Sequence, residues 1–233
     1  MKKGIDVSEH QGVIDWETVK ASSEVNYVII RAGYGREASQ VDKQFERNYA
    51  ECKRLGIPCG AYWYSYAVSE EEARKEAAVC LEILKGKQFE YPIYFDVEEP
   101  NAFATGNVDK IINAFCGELE KAGYWTGLYM SRSPLMQYVS ESVRKRYALW
   151  VAEYNSVCNY HGSYGMWQKS SGGSIPGIVG NVDIDECYVD YPARIKASGK
   201  NGYTKPAEAA KKAQKAVKLV IDDHVYSGLL TEE

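Results

Sequence analysis

Long apolar runs are missing from this chain of 233 residues. None approaches the ~20 residues that a bilayer core requires. The opening MKKGIDVSEHQG carries two lysines with no apolar stretch behind them, so neither a membrane span nor an intact signal peptide is expected. Histidine is scarce: His10, His161 and His224 are the three present, and none stands at metal-ligand spacing. The six cysteines, Cys52, Cys59, Cys80, Cys116, Cys158 and Cys187, form no CxxC pair. They read as reduced, mostly buried thiols rather than a zinc site or a disulfide framework, and no metal or cofactor is expected. A basic stripe is lacking as well. Residues 1–191 hold 20 basic and 27 acidic side chains, net −7, while 192–233 carry net +3, so nucleic acid is not an expected partner.

What is present is enough for a large core. Hydrophobic residues make up 45% and charged residues 26%, which excludes a disordered chain. Against roughly 150 residues per domain, the length suits one large domain or a domain plus an appendage. Nineteen tyrosines and five tryptophans against five phenylalanines favour flat rings that stack and still hydrogen-bond, as a sugar cleft uses.

Short β-branched or aromatic runs alternate with helical patterns. Strands are expected at 4–8, 27–31, 60–66, 91–98 and 125–131, and helices at 16–23, 43–55 and 108–122. Another helix opens at Ser69, where Ser69 and Glu72 make a capping box. Residues 91–98 are apolar almost throughout, as in a strand covered on both faces. After residue 131 the connections shorten, and runs at 149–153, 165–168 and 182–187 suit antiparallel pairing. The expected fold is α/β: an irregular, flattened β/α barrel, parallel in its first part and closed by short antiparallel strands. The barrel is placed at 1–191, a Lys-, Gly- and Ser-bearing linker at 192–205, and a helical tail at 206–233, its helix at 206–223.

Parallel βα barrels carry their chemistry at the carboxyl ends of the strands. In YFDVEEP (residues 94–100), Asp96 and Glu98 lie two apart, hence on one face of a strand and about 6.6 Å apart along it. Two such carboxylates resist joint ionisation, so one can stay protonated while its neighbour stays charged, the division that glycosidic cleavage needs. Asp6 lies in the first strand, and Asp183 and Asp185 in the last; closure of the barrel brings these ends to one rim. Glu99 points the other way.

These segments carry a resemblance. GIDVSEHQG (residues 4–12) and IDW, then GAYWYSYA, YFDVEE, GLYMS, LWVAEY, MWQKSSGG and GNVDIDE, in that order from residue 4 to about 190, resemble glycoside hydrolase family 25. Its members are muramidases that cut the β-1,4 bond between N-acetylmuramic acid and N-acetylglucosamine in bacterial peptidoglycan. The resemblance implies a flattened barrel and a catalytic set of Asp6, Asp96, Glu98 and Asp183. It makes Glu98 the proton donor and Asp96 the group that orients the substrate's acetamido as it attacks the anomeric carbon, with Asp6 and Asp183 holding charge and hydrogen bonds beside them. It also places Tyr62, the tyrosine of a GxY segment, near the acids.

Tyr129, Trp150, Tyr154, Trp167 and Gln168 sit in other rim segments as candidates to line a saccharide track. Arg31 closes the run IIR, where an ion pair with a rim acid and a contact to a substrate carboxylate both fit. His10 is read as a loop residue that orients an acid. The reading is thus of a peptidoglycan hydrolase without cofactor, acting on the wall outside the membrane, reached through a phage holin or by secretion with the signal removed. The tail is expected to bind the wall or to mediate self-association. Two alternatives stand beside it: a non-catalytic saccharide-binding barrel, and a chitinase-type hydrolase assisted by the acetamido group.

Overall fold

A computed structural model describes residues 1–205 and, as backbone, 215–221 and 224–230. In chain order the elements are β1 (Lys2–Val7), α1 (Trp16–Ser22), β2 (Tyr27–Tyr34), α2 (Phe45–Arg54), β3 (Cys59–Tyr64), α3 (Glu70–Leu84), β4 (Ile93–Asp96), α4 (Pro100–Ala104) and α5 (Val108–Lys121). Then come β5 (Thr126–Ser131), α6 (Arg132–Tyr138), α7 (Glu141–Arg146), β6 (Ala148–Ala152), β7 (Met166–Gly173), β8 (Val182–Cys187) and α8 (Tyr191–Ser198). A two-stranded sheet of β9 (Lys215–Ile221) and β10 (His224–Leu230) follows.

Strands β1 to β8 close into a barrel in sequence order. Each neighbouring pair from β1·β2 to β6·β7 is parallel, and β8 alone runs against both of its neighbours, β7 and β1. The expected antiparallel closure is present at β7·β8 and β8·β1, but the strands expected at 149–153 and 165–168 pair with each other in parallel, which corrects the hairpin expected between them. The residues between β6 and β7 cross back over the barrel without a helix, so a short connection does not here mean a hairpin.

Period-two alternation sends side chains to two cores. Between strands and helices lies a layer that includes Val28, Ile30, Phe95, Leu128 and Val151, packed against Phe45, Leu84 and Phe115. Inside the barrel, Tyr27, Ile29, Tyr94, Trp150, Met166 and Cys187 fill the lumen. β4 contributes to both, which accounts for its nearly unbroken apolar run. Glycine makes room for the interior rings: a Cβ on Gly127 would collide with the ring of Tyr94 on the neighbouring strand. The six cysteines are free, and all but the half-buried Cys158 are buried. No helix of the described residues is long and apolar enough to cross a membrane.

The stretch 192–205 is not a linker. Most of it is α8 and the turn after it, and Tyr191 and Ile195 of that helix belong to the interior core. Asn201 is fully buried. Its side chain accepts from the Trp125 N–H at 2.7 Å and donates to the Tyr91 carbonyl at 2.8 Å. The helix expected at 206–223 is corrected where the structure describes it, since 215–221 is a strand paired with 224–230; residues 206–214 lie outside the described residues.

Candidate active site

The carboxyl ends of the parallel strands gather the acids. Asp6 on β1 is opposite Asp183 on β8, and Asp185, two residues further along β8, is opposite Gly4. Asp96 is the last residue of β4, and Glu98 follows it where the chain leaves the barrel. Asp6, Asp96 and Asp185 are buried, Asp183 is half-buried, and Glu98 is exposed at the mouth. The four candidates from the sequence thus meet at one end of the barrel. Asp185 joins them from below. Its spacing from Asp183 puts both on one face of β8, a signal that was available, but depth along the strand was not.

Neutral donors hold this cluster. Gln168 Nε2 donates to Asp6 Oδ2 at 2.8 Å, while Gln168 Oε1 accepts from the Tyr129 hydroxyl at 2.8 Å and the Tyr154 hydroxyl at 3.2 Å. Trp150 Nε1 donates to Asp185 Oδ1 at 2.9 Å. The nearest cations are engaged elsewhere: Arg31 pairs with Asp42 at 2.8 Å and Glu9 at 3.2 Å, and Arg132 with Glu153 at 3.0 Å. Of the two roles open to Arg31, the structure displays an ion pair, but with loop acids rather than the rim set. His10 Nε2 lies 3.3 Å from Arg31 Nη1, so this histidine orients an arginine and not an acid. Glu99 accepts from the Tyr64 hydroxyl at 2.8 Å, away from the cluster.

With little positive charge nearby, the acids are shifted toward their protonated forms. Burial pushes Asp96 well above the usual carboxylate range, and the adjacent Glu98, within hydrogen-bond reach, pushes it further. Glu98 is raised too, first by desolvation in the mouth, with its hydrogen bond to Asp96 opposing. Asp183 is raised by desolvation. Repulsion and burial together resist joint ionisation of the Asp96–Glu98 pair.

The aromatic candidates separate. Tyr62, half-buried, packs edge-on to Trp150 with centroids 6.2 Å apart. Tyr154 is exposed beside the acids, and Tyr129 is buried with its hydroxyl on Gln168. Trp150 is buried in the lumen beneath the cluster, its ring closed off from a ligand. Trp167 is turned to the opposite face of β7 from Gln168, with its N–H on the Glu153 carbonyl at 2.8 Å and Lys169 over its ring. Neither tryptophan offers a platform at the mouth. Strand parity separates Trp167 from Gln168; only the packed barrel buries Trp150. A hollow of about 590 Å³ lies at the other end of the barrel, among Trp125, Arg144, Tyr147, Tyr191, Arg194 and Lys200, and contains none of the acids.

Comparison with known proteins matches residues 5–178 to glycosyl hydrolases family 25. An autolytic lysozyme of Clostridium acetobutylicum is 29% identical over 185 residues, covering 79% of this chain and 55% of that protein. The modular autolysin LytC from Streptococcus pneumoniae, solved in complex with a synthetic peptidoglycan ligand, is similar at 35% identity and a TM-score of 0.72, over 80% of this chain and 46% of that one. The CTP1L endolysin is similar at 25% identity and a TM-score of 0.75, over 84% and 70%. The chain spans about half the length of the lysozyme and of LytC.

Proposed function

Because this chain belongs to glycosyl hydrolases family 25, we propose that it is a muramidase. It hydrolyses the β-1,4 bond between N-acetylmuramic acid and N-acetylglucosamine in bacterial peptidoglycan, outside the cytoplasmic membrane. The observation that carries this reading is the pair of one exposed and one buried carboxylate, Glu98 and Asp96, both raised in pKa, at the open end of the barrel.

Glu98 reaches the leaving oxygen because it stands at the mouth; Asp96 lies below it. As the acetamido N–H of the muramic acid unit approaches Asp96, the ionised form of Asp96 is favoured and its proton passes to Glu98. Glu98 protonates the glycosidic oxygen while the acetamido carbonyl oxygen attacks the anomeric carbon, closing an oxazolinium ring and releasing the leaving sugar. Water then opens the ring at the anomeric carbon and gives its proton to Glu98. Asp6 and Asp183 hold the electrostatic frame, Tyr62 and Tyr154 flank the sugar, and Gln168 ties Tyr129 and Tyr154 to Asp6. The segment after residue 205 serves attachment to the wall or self-association.

The test is Glu98→Gln, which keeps shape and removes the proton. Reducing-sugar release from purified walls falls by ~10² to 10⁴-fold with the fold intact. Near wild-type lysis by the folded variant refutes the role. Analysis of the released ends distinguishes muramidase cleavage from hydrolysis of chitin oligomers. A thiazoline analogue of the cyclised intermediate inhibits, and an ester trapped on Asp96 refutes acetamido assistance.

A further inference from the structure

Asp185 is a fully buried acid for which the mechanism above has no use. Its Oδ1 accepts from the Trp150 N–H, and its Oδ2 meets no hydrogen-bond donor among the uncharged groups around it. Its diagonal neighbour across the β1·β8 pairing is Asp6, itself buried, with its own Oδ2 taken by Gln168. The other titratable groups that face the pair are Asp183 on β8, Asp96 on β4, Tyr27 on β2, Tyr62 on β3, Tyr129 on β5 and Tyr154 after β6. Trp150 and Gln168 are neutral, and among the described residues no lysine or arginine makes an ion pair with Asp6 or Asp185. Two ionised carboxylates with one neutral donor apiece are not compensated in such a place.

We propose that Asp185 and Asp6 share one proton across a hydrogen bond, so that the two acids together carry a single negative charge beside the rim. Burial pushes both acids well above their ordinary range; repulsion from Asp185 raises Asp6 further, while the hydrogen bond with Asp6 lowers Asp185. Asp185 is thereby a positioning residue. Fixed on one side by the Trp150 indole, its carboxyl shares the proton with Asp6, while Gln168 presents an N–H to Asp6 from another direction. Asp6 is clamped between them in a single orientation beside Asp183. The positioning role rests on the muramidase reading; the proton count does not.

The proton count is tested by native capillary electrophoresis at pH 7, with the exposed Glu82→Gln as a ruler of one charge. In Asp185→Asn the shared proton leaves with the carboxyl and Asp6 carries the charge alone, so the mobility stays at the wild-type value while Glu82→Gln moves by one charge, and the double variant Asp6→Asn/Asp185→Asn moves by one charge as well. Movement of Asp185→Asn by a full charge, or movement of the double variant by two charges or by none, overturns the proposal. Asn retains an N–H for Asp6 and a carbonyl for Trp150, whereas Leu retains neither. Asp185→Asn therefore hydrolyses walls at least about tenfold faster than Asp185→Leu, as expected for loss of a hydrogen bond to a charged group. Equal rates overturn the positioning role. If neither variant is active while the mobility holds, the proton assignment stands and the positioning role falls.

Discussion

Glu76 lies on α3 with its side chain buried, its Oε1 accepting the Tyr66 backbone N–H at 2.9 Å and its Oε2 unpartnered. Desolvation pushes it up to about 7 from an ordinary 4.5. The folded chain then binds this proton more readily than the unfolded chain does. Stability from this residue is complete below the unfolded value and is lost as pH rises through the folded one, by on the order of 3 kcal/mol. Glu76→Gln removes the loss. Urea unfolding at pH 4.5 and pH 8 finds the variant more stable than the parent at the higher pH and with a smaller difference between the two; an unchanged pH slope contradicts the assignment. The rim acids were readable one by one, since an acid at the end of an apolar run has few reasons to be there. Glu76 was not, because its helical neighbours are also charged and nothing in spacing distinguishes a buried face from a wet one. Trp167 was assigned to the track with Gln168 although adjacent strand residues face opposite ways.

At the scale of the element, strand pairing depends on room inside the barrel. Tyr94 lies over Gly127 of the next strand, edge-on to Trp150 at 5.1 Å, with its hydroxyl 3.1 Å from Met166 Sδ. Gly127→Ala forces that ring aside and costs about 1–3 kcal/mol by overpacking. A fall in the urea midpoint at constant slope measures it, and a neutral result means that the lumen is looser than described. Element types were legible up to β5, where helices and strands alternate and period changes are sharp. They hold for β6 and β7 as well, but the direction of that pair does not: a strand pattern says nothing about direction, and loop length alone is a poor guide to it. The Ser69 cap formed, with its Oγ accepting the Glu72 N–H at 3.2 Å. Glu72, however, reaches back to the Val68 N–H at 2.9 Å instead of closing the box on Ser69.

For the whole molecule, the decisive region is the one that composition made look dispensable. Ile195 on α8 plugs the amino-terminal end of the lumen, and Asn201 satisfies backbone groups at Tyr91, Gly123, Trp125 and Phe89. A chain ending at residue 190 loses both and unfolds well below the melting temperature of one ending at 205, which keeps the barrel. Asn201→Ala by itself costs on the order of 2 kcal/mol, since it strands buried donors and acceptors. Thermal unfolding of the three chains checks this; equal midpoints for the chains ending at 190 and 205 place the domain boundary back at 191.

The amino-acid sequence by itself determined the α/β alternation, which follows from periodicity, and the family, which follows from the order of its motifs; the same short windows put Asp6, Asp96, Glu98 and Asp183 at strand ends. Only the tertiary structure decided that β8 alone is antiparallel, that α8 closes the barrel, that Trp150 is floor rather than platform, and that Asp185 lies against Asp6. Each of these depends on which residues far apart in the chain come to share one low-dielectric interior, and burial, which sets both packing and protonation there, is a property of the closed barrel and not of any segment.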